Sequence, residues 1–181
     1  MKRLQLYRTD AIEVTFDPNR CIHYAACIRA LPAVFDAKAR PWIRPEAATP
    51  DAVAAAVLRC PTGALHYRRV DGGPAESPDE PATVTAKRDG PLFVRGDVSL
   101  ALDDGGAVVL RDARVALCRC GHSANQPYCD GTHRAIGWRD GAEAHRPAAP
   151  AAAMPDGVPI VDGPREGPGG GGEGAAPETV A

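Results

Sequence analysis

The stretch that decides the fold of the second half of the chain is CRCGHSANQPYCDGTH, residues 118–133. It places three thiols and one imidazole, those of Cys118, Cys120, Cys129 and His133, within sixteen residues. Side chains two residues apart on an extended segment project to the same side, so Cys118 and Cys120 can bind one metal ion together. The stretch is therefore predicted to be a metal centre.

The second pair of candidate ligands, Cys129 and His133, lies four residues apart. Gly131 permits a tight entry into a helical turn, and Asp130 can cap that turn, which brings His133 back beside Cys129. Two pairs suit a [2Fe–2S] cluster, which needs four protein ligands, two for each iron. Structural zinc also uses three cysteines and one histidine, although its near pair is normally separated by two to four residues. The spacing alone therefore leaves a structural zinc site as an alternative to the cluster.

The same stretch resembles the CDGSH iron–sulfur domain, whose pattern is C-x-C-x2-S/T-x3-P-x-C-D-G-S/A/T-H. Every position of that pattern is filled in this chain, by Cys118, Cys120, Ser123, Pro127, Cys129, Asp130, Gly131, Thr132 and His133. The similarity extends from about Asp89 to Trp138. It implies a [2Fe–2S] cluster held by Cys118, Cys120, Cys129 and His133.

The other three cysteines are Cys21, Cys27 and Cys60. A bacterial ferredoxin places cysteines at i, i+3 and i+6 and completes the set with a distant Cys-Pro. Here Tyr24 occupies the middle position, and Cys60 precedes Pro61. On spacing alone, three buried core cysteines remain an alternative.

The runs CIHYAACIRALPAVFD (21–36), RPWIRP (40–45) and CPTGAL (60–65) resemble the divergent mono-cluster ferredoxin domain. The resemblance covers roughly Ala11–Tyr67 and implies a cuboidal cluster on Cys21, Cys27 and Cys60. Because Tyr24 replaces the middle cysteine, that cluster is either [3Fe–4S] or [4Fe–4S]. In the second case His23, solvent or an external group binds the fourth iron.

Composition divides the chain into four segments. Residues 1–70 form the ferredoxin-like module, and residues 71–82, DGGPAESPDEPA, are predicted to be an exposed linker. Residues 83–140 form the CDGSH module. Residues 141–181 contain 26 Ala, Pro or Gly among 41 positions, and we expect this tail to be disordered because it has too little apolar surface to offset its ordering entropy.

Local patterns predict an α+β fold with a β-rich second module. Strands are expected at Ala11–Asp17 and Ala64–Val70, and helices at Cys21–Ala30 and, with Thr49 as N-cap, at 50–59. Four short strands are expected in the second module, at Thr83–Ala86, Leu92–Arg95, Ser99–Leu102 and Val108–Leu110. The first core is predicted from the residues Ile12, Val14, Phe16, Phe35, Leu58 and Tyr67.

The chain has no catalytic motif, phosphate loop or dinucleotide fingerprint, so we expect no enzymatic activity. No basic run with stacking aromatics indicates nucleic-acid binding, and no stretch reaches the roughly 18 apolar residues of a membrane span. The start of the chain has no apolar signal region, and the Cys-x-Cys pair favours metal binding over a disulfide, so we expect a cytoplasmic protein.

Two redox cofactors on a small scaffold predict an electron carrier for a partner oxidoreductase or reductase. A net charge of +5 over residues 1–70 would suit an acidic protein partner. The alternatives are a cluster-transfer or redox- and pH-sensing protein, indicated by the histidine ligand, and a structural zinc module.

Overall fold

The computed structural model describes residues 2–101 and 108–141. These described residues belong to one compact unit. The described part contains two three-stranded antiparallel sheets and a few short helices, which is the predicted α+β class. The predicted disordered tail lies outside the described residues, apart from Gly141.

The first sheet has the order β1-β2-β3, with β1 at Gln5–Arg8, β2 at Ile12–Phe16 and β3 at Leu65–Arg69. Strand β2 alternates buried and half-buried residues, as the sequence pattern predicts for a strand with one face on a core. Strand β1 was not predicted from the sequence, because its exposed Leu6 and half-buried Tyr7 give no clear alternation.

Helix α2, Pro50–Val57, begins at the predicted N-cap: the Thr49 hydroxyl accepts a hydrogen bond from the Ala52 amide at 3.3 Å. The helix packs on β3 and on α1, Ala26–Ala30, and a 3₁₀ turn at Pro45–Ala47 packs on β2. The buried core between these elements consists of Ile12, Val14, Phe16, Val34, Phe35, Ile43, Val53, Ala54, Ala56, Val57, Ala64 and Leu65.

Two expectations for this module were wrong in detail. The helix predicted from Cys21 begins only at Ala26, because His23 and Ala25 have left-handed backbone angles (φ 53° and 61°) that no right-handed helix accommodates. The predicted core residues Ile12, Val14, Phe16 and Phe35 are buried, whereas Leu58 and Tyr67 are half-buried, and Tyr67 packs against the core. The core also contains aliphatic residues of α2 and Ile43, whose bridge to Phe35 no local pattern reveals.

The second sheet has the order β4-β5-β6, with β4 at Thr83–Ala86, β5 at Leu92–Ala101 and β6 at Val108–Leu117. The strands predicted at Leu92–Arg95 and Ser99–Leu102 are one continuous strand, apart from Leu102, which is outside the described residues. The pairing register with β6 shifts between Arg95 and Val98, so a bulge absorbs the break that the sequence suggested. Strand β6 runs seven residues beyond the predicted Leu110 and ends directly before Cys118.

A network of charged side chains joins the two modules; we call it the junction network, and its members are Arg20, His66, Glu76, Asp112 and Arg114. Arg20 pairs with Asp112 at 2.5 Å, and His66 lies between Glu76 (3.1 Å) and Asp112 (3.3 Å). Arg114 pairs with Glu76 in turn. The sequence predicted an exposed linker at 71–82, and most of it is exposed, but its Glu76 belongs to this network.

Arg114 of β6 is only 1% exposed and donates hydrogen bonds to the carbonyl oxygens of Val57 (3.2 Å) and Leu65 (2.9 Å) in the first module. Gly63 allows the backbone of β6 to approach the first module closely, because a Cβ there would lie 2.4 Å from the Arg114 carbonyl oxygen, and its own backbone is left-handed (φ 64°). A buried charge must be paired to be tolerated, so the two modules depend on each other for its partners.

Candidate iron–sulfur sites

The first pair of predicted ligands lies just beyond the end of β6. Cys118 and Cys120 have their sulfur atoms 3.8 Å apart, and both are partly exposed. The Cys118 amide donates to the Pro127 carbonyl oxygen at 2.8 Å, which folds the intervening loop back on the strand. The structure therefore brings these two thiols together, as the spacing predicts.

Cys129 and His133 form a second pair, with the sulfur 3.4 Å from the imidazole Nδ1. The Cys129 amide donates to the Ala116 carbonyl oxygen at 2.9 Å, so this pair also rests on β6. Both residues are buried, with exposures of 3% for Cys129 and 5% for His133. One side of the centre is therefore enclosed, and the side of the first pair is accessible.

The turn between Cys129 and His133 has the predicted construction. Gly131 has a left-handed backbone (φ 94°) directly before helix α3, Thr132–Ala135. The Asp130 carboxylate accepts hydrogen bonds from the amides of Thr132 and Ala124, each at 2.9 Å. Asp130 thus holds the His133 turn and the loop between the two pairs in one arrangement.

At the site formed by residues 118–133, which we call the second site, the surroundings favour the metal-binding protonation states of His133 and Cys118 but not of Cys129. Burial, and then the charge of Arg134, lower the pKa of His133, which keeps the imidazole neutral as a metal ligand requires. Burial by itself raises the pKa of Cys118, but hydrogen bonds from the backbone of Ser123 and Gly121 and from Cys120 outweigh it, and the pKa is lowered. Burial raises the pKa of Cys129.

The three cysteines of the first module line one small cavity. Cys21 begins the loop that leads into α1, Cys27 is the second residue of α1, and Cys60 follows α2. We call this cavity and its three cysteines the first site. Burial, and then the neighbouring Cys60, raise the pKa of Cys27 to about 11. Burial also raises the pKa of Cys21, so without a bound cation the thiols of Cys21 and Cys27 stay protonated, whereas a metal that coordinates them removes the protons outright.

Tyr24 and His23 take different positions around that cavity. Tyr24 lines it, together with Ile22, Trp42 and Leu65, and its ring also packs on Phe93 of the second module. His23 is exposed and borders an open groove outside the cavity, beside Cys21 and Cys27. The structure therefore does not place His23 in the cavity that the three cysteines line.

His122 is exposed and contacts the Cys120 carbonyl oxygen through its own Nδ1, at 2.6 Å. None of the six cysteines, all of which are described, forms a disulfide. Sequence reasoning missed Arg114, Arg20 and Glu76 of the junction network. Arg114 carried one signal, since it interrupts the otherwise apolar end of β6.

Comparison with known families identifies this chain as an iron–sulfur-binding protein, and the paired thiols and imidazole are compatible with that class. Residues 7–70 match the family described as divergent 4Fe-4S mono-cluster, and residues 89–134 match the family described as iron-binding zinc finger CDGSH type. The chain therefore carries a mono-cluster domain at residues 7–70 followed by a CDGSH domain at residues 89–134. The predicted family assignment is thereby confirmed.

Among curated proteins, the uncharacterized protein YjdI of Escherichia coli K12 is 36% identical over 62 residues, which are 34% of this chain and 82% of that protein. Its counterpart in Escherichia coli O157:H7 matches to the same extent. Among the described residues, no helix is long and apolar enough to cross a membrane.

Proposed function

We propose that this chain is an electron-transfer protein that holds two iron–sulfur clusters. The first module would bind a cuboidal cluster, [3Fe–4S] or [4Fe–4S], and the second a [2Fe–2S] cluster. The proposed ligands of the cuboidal cluster are Cys21, Cys27 and Cys60. Those of the [2Fe–2S] cluster are Cys118, Cys120, Cys129 and His133.

The observation that carries the proposal is the arrangement of the second site as two separate pairs, with contacts of 3.8 Å and 3.4 Å within them. Two irons, each held by its own pair, fit this arrangement. A zinc ion needs four ligands around one point. The match of residues 89–134 to a CDGSH family described as iron-binding supports iron over zinc at these pairs.

When bound, the clusters supply one-electron redox chemistry. The chain's own residues hold them, with the buried Cys129–His133 pair on one side and the partly exposed Cys118–Cys120 pair on the other. This proposal assigns the chain no catalysis of its own. Its electrons would come from and go to a partner oxidoreductase or reductase in the cytoplasm, where free thiols persist.

Iron and acid-labile sulfide analysis of the anaerobically purified full chain tests the proposal. We expect about five irons per chain if the first cluster is [3Fe–4S] and about six if it is [4Fe–4S]. EPR spectra of the reduced and oxidised protein distinguish the two cuboidal forms. A zinc-loaded protein without sulfide would refute the proposal. Two irons per chain would show that the first module holds no cluster.

Cluster transfer is a second candidate function, and the exposure of the second site favours it. Gly121 and His122 are exposed beside the partly exposed Cys118 and Cys120, so an acceptor protein can approach this side. Incubation with an apo-ferredoxin separates the candidates. Transfer of iron and sulfide to the acceptor supports cluster delivery, whereas electron exchange with the clusters retained supports the carrier.

A further inference from the structure

The loop between Cys21 and Cys27 serves both candidate sites. Ile22 and Tyr24 of this loop line the cavity of the first site. Ile22 is also 2% exposed in a second apolar cluster, which contains Phe93, Ala116 and Cys129 of the second module. One short segment thus forms a wall of the first site and packs against a predicted ligand of the second.

Two hydrogen bonds and one ring contact join this loop, or the residues just before it, to the second module. Arg134, the residue after His133, donates a hydrogen bond from Nη1 to the Ile22 carbonyl oxygen at 2.8 Å. Asn125, from the loop between the two ligand pairs, donates from Nδ2 to the Asn19 carbonyl oxygen at 2.9 Å. The Tyr24 ring meets Phe93 edge-on, with the ring centroids 5.6 Å apart.

The burial of the Cys129–His133 pair depends on these contacts. Ile22 and Tyr24 line a cavity of about 120 Å³ together with Phe93, His133 and Arg134. Removing the Ile22 side chain would enlarge this space directly beside the pair. The first module therefore contributes to the enclosure of the second site on the side of the Cys129–His133 pair.

We propose that residues 22–24 form a cover over the Cys129–His133 pair, and that occupancy of the first site holds this cover closed. The proposal rests on the proposed function, because it requires clusters in both sites. Cluster binding by Cys21 and Cys27 fixes both ends of the loop, whereas an empty first site leaves it free to open. A coupling of this kind is reciprocal, so each filled site stabilises the other.

The substitution Ile22→Ala tests the cover directly. With both sites loaded, we expect the [2Fe–2S] cluster to be lost to a chelator about tenfold faster or more, because truncating a buried isoleucine leaves a cavity that favours local opening. The loss is followed by the EPR signal of the reduced two-iron centre and by the iron released per chain. Ile22→Val, which keeps most of the side chain, should restore a rate close to that of the unchanged protein.

Ile43→Ala is the matched control, because the Ile43 side chain is 1% exposed, close to the 2% of Ile22, but belongs to the core of the first module. It should lower the unfolding temperature without a comparable increase in cluster loss. Equal acceleration by Ile22→Ala and Ile43→Ala would overturn the proposal, since general destabilisation would then explain both. An unchanged rate in Ile22→Ala would overturn it as well.

Cys60→Ser tests the coupling without altering the loop. If this variant retains only the two irons of the second site, we expect several-fold faster loss of that cluster than in the doubly loaded chain. An unchanged rate would show that the sites are independent and would overturn the coupling.

Failure of the proposed function has a separate signature in the same samples. Zinc in place of iron and sulfide, or two irons per chain in the unaltered protein, would refute the two-cluster assignment before any rate is measured. Five or six irons with rates insensitive to Ile22→Ala would refute the cover alone.

Discussion

Among single residues, His133 is the predicted ligand whose chemistry differs from the rest, since it is an imidazole among thiolates. It lies 3.4 Å from Cys129 and is 5% exposed. His133→Cys should lower the reduction potential of the second site, because thiolate adds negative charge beside the cluster. Potentiometric titration followed by EPR measures the shift.

The matched control for that substitution is His122→Cys, because His122 is exposed near the same loop and is not a predicted ligand. It should leave the potential of the second site nearly unchanged. A potential that responds to His122→Cys and not to His133→Cys would contradict the ligand assignment.

Tyr24 occupies the position of the missing ferredoxin cysteine and lines the first cavity. If the native cluster is [3Fe–4S], Tyr24→Cys should complete the ligand set and raise the iron content by about one per chain. Tyr24→Ser is the control, since it also removes the ring from Phe93 but offers no thiol. Equal iron content in the two variants would show that position 24 cannot reach the cluster.

At the level of secondary structure, helix α2 ends shortly before Cys60 and therefore positions it. The helix begins at the Thr49 N-cap. Thr49→Ala should lower the free energy of unfolding by about 1 kcal/mol, because the Ala52 amide loses its partner. Thr49→Ser keeps the hydroxyl and should lose much less. Denaturant unfolding followed by circular dichroism measures both, and equal losses would contradict the capping role.

At the scale of the whole molecule, His66 makes the junction network depend on pH. Burial lowers its pKa, but hydrogen bonds to Asp112 and Glu76 outweigh this and raise it from 6.5 to about 9. Arg20 and Arg114 face the same two carboxylates. The folded protein therefore holds a proton on His66 that the unfolded chain has released between these two pH values.

The stabilisation from His66 should be complete below pH 6.5 and should be lost as the pH rises through about 9. Thermal unfolding between about pH 6 and 10 measures it as the difference between the unchanged protein and His66→Gln. We expect that difference to shrink towards alkaline pH. A difference that is constant or grows with pH would show that His66 is neutral in the folded protein.

The candidate site residues were predictable from the sequence because their pattern is local. The spacing within residues 118–133 predicted both pairs of side chains, and the structure brings each pair together. The Thr49 cap of α2 and the alternating pattern of β2 were also predictable, because each depends only on residues close in sequence. The two families were recognisable for the same reason.

Only the tertiary structure decided how the two modules meet. The contact between Arg134 and Ile22 joins positions 112 residues apart, and the contact between Arg114 and Val57 joins positions 57 apart. No periodicity or spacing encodes such pairs, because each depends on where the folded elements bring their side chains. The left-handed residues His23 and Ala25 replace the first part of the predicted Cys21–Ala30 helix with a loop whose Ile22 lies beside Cys129.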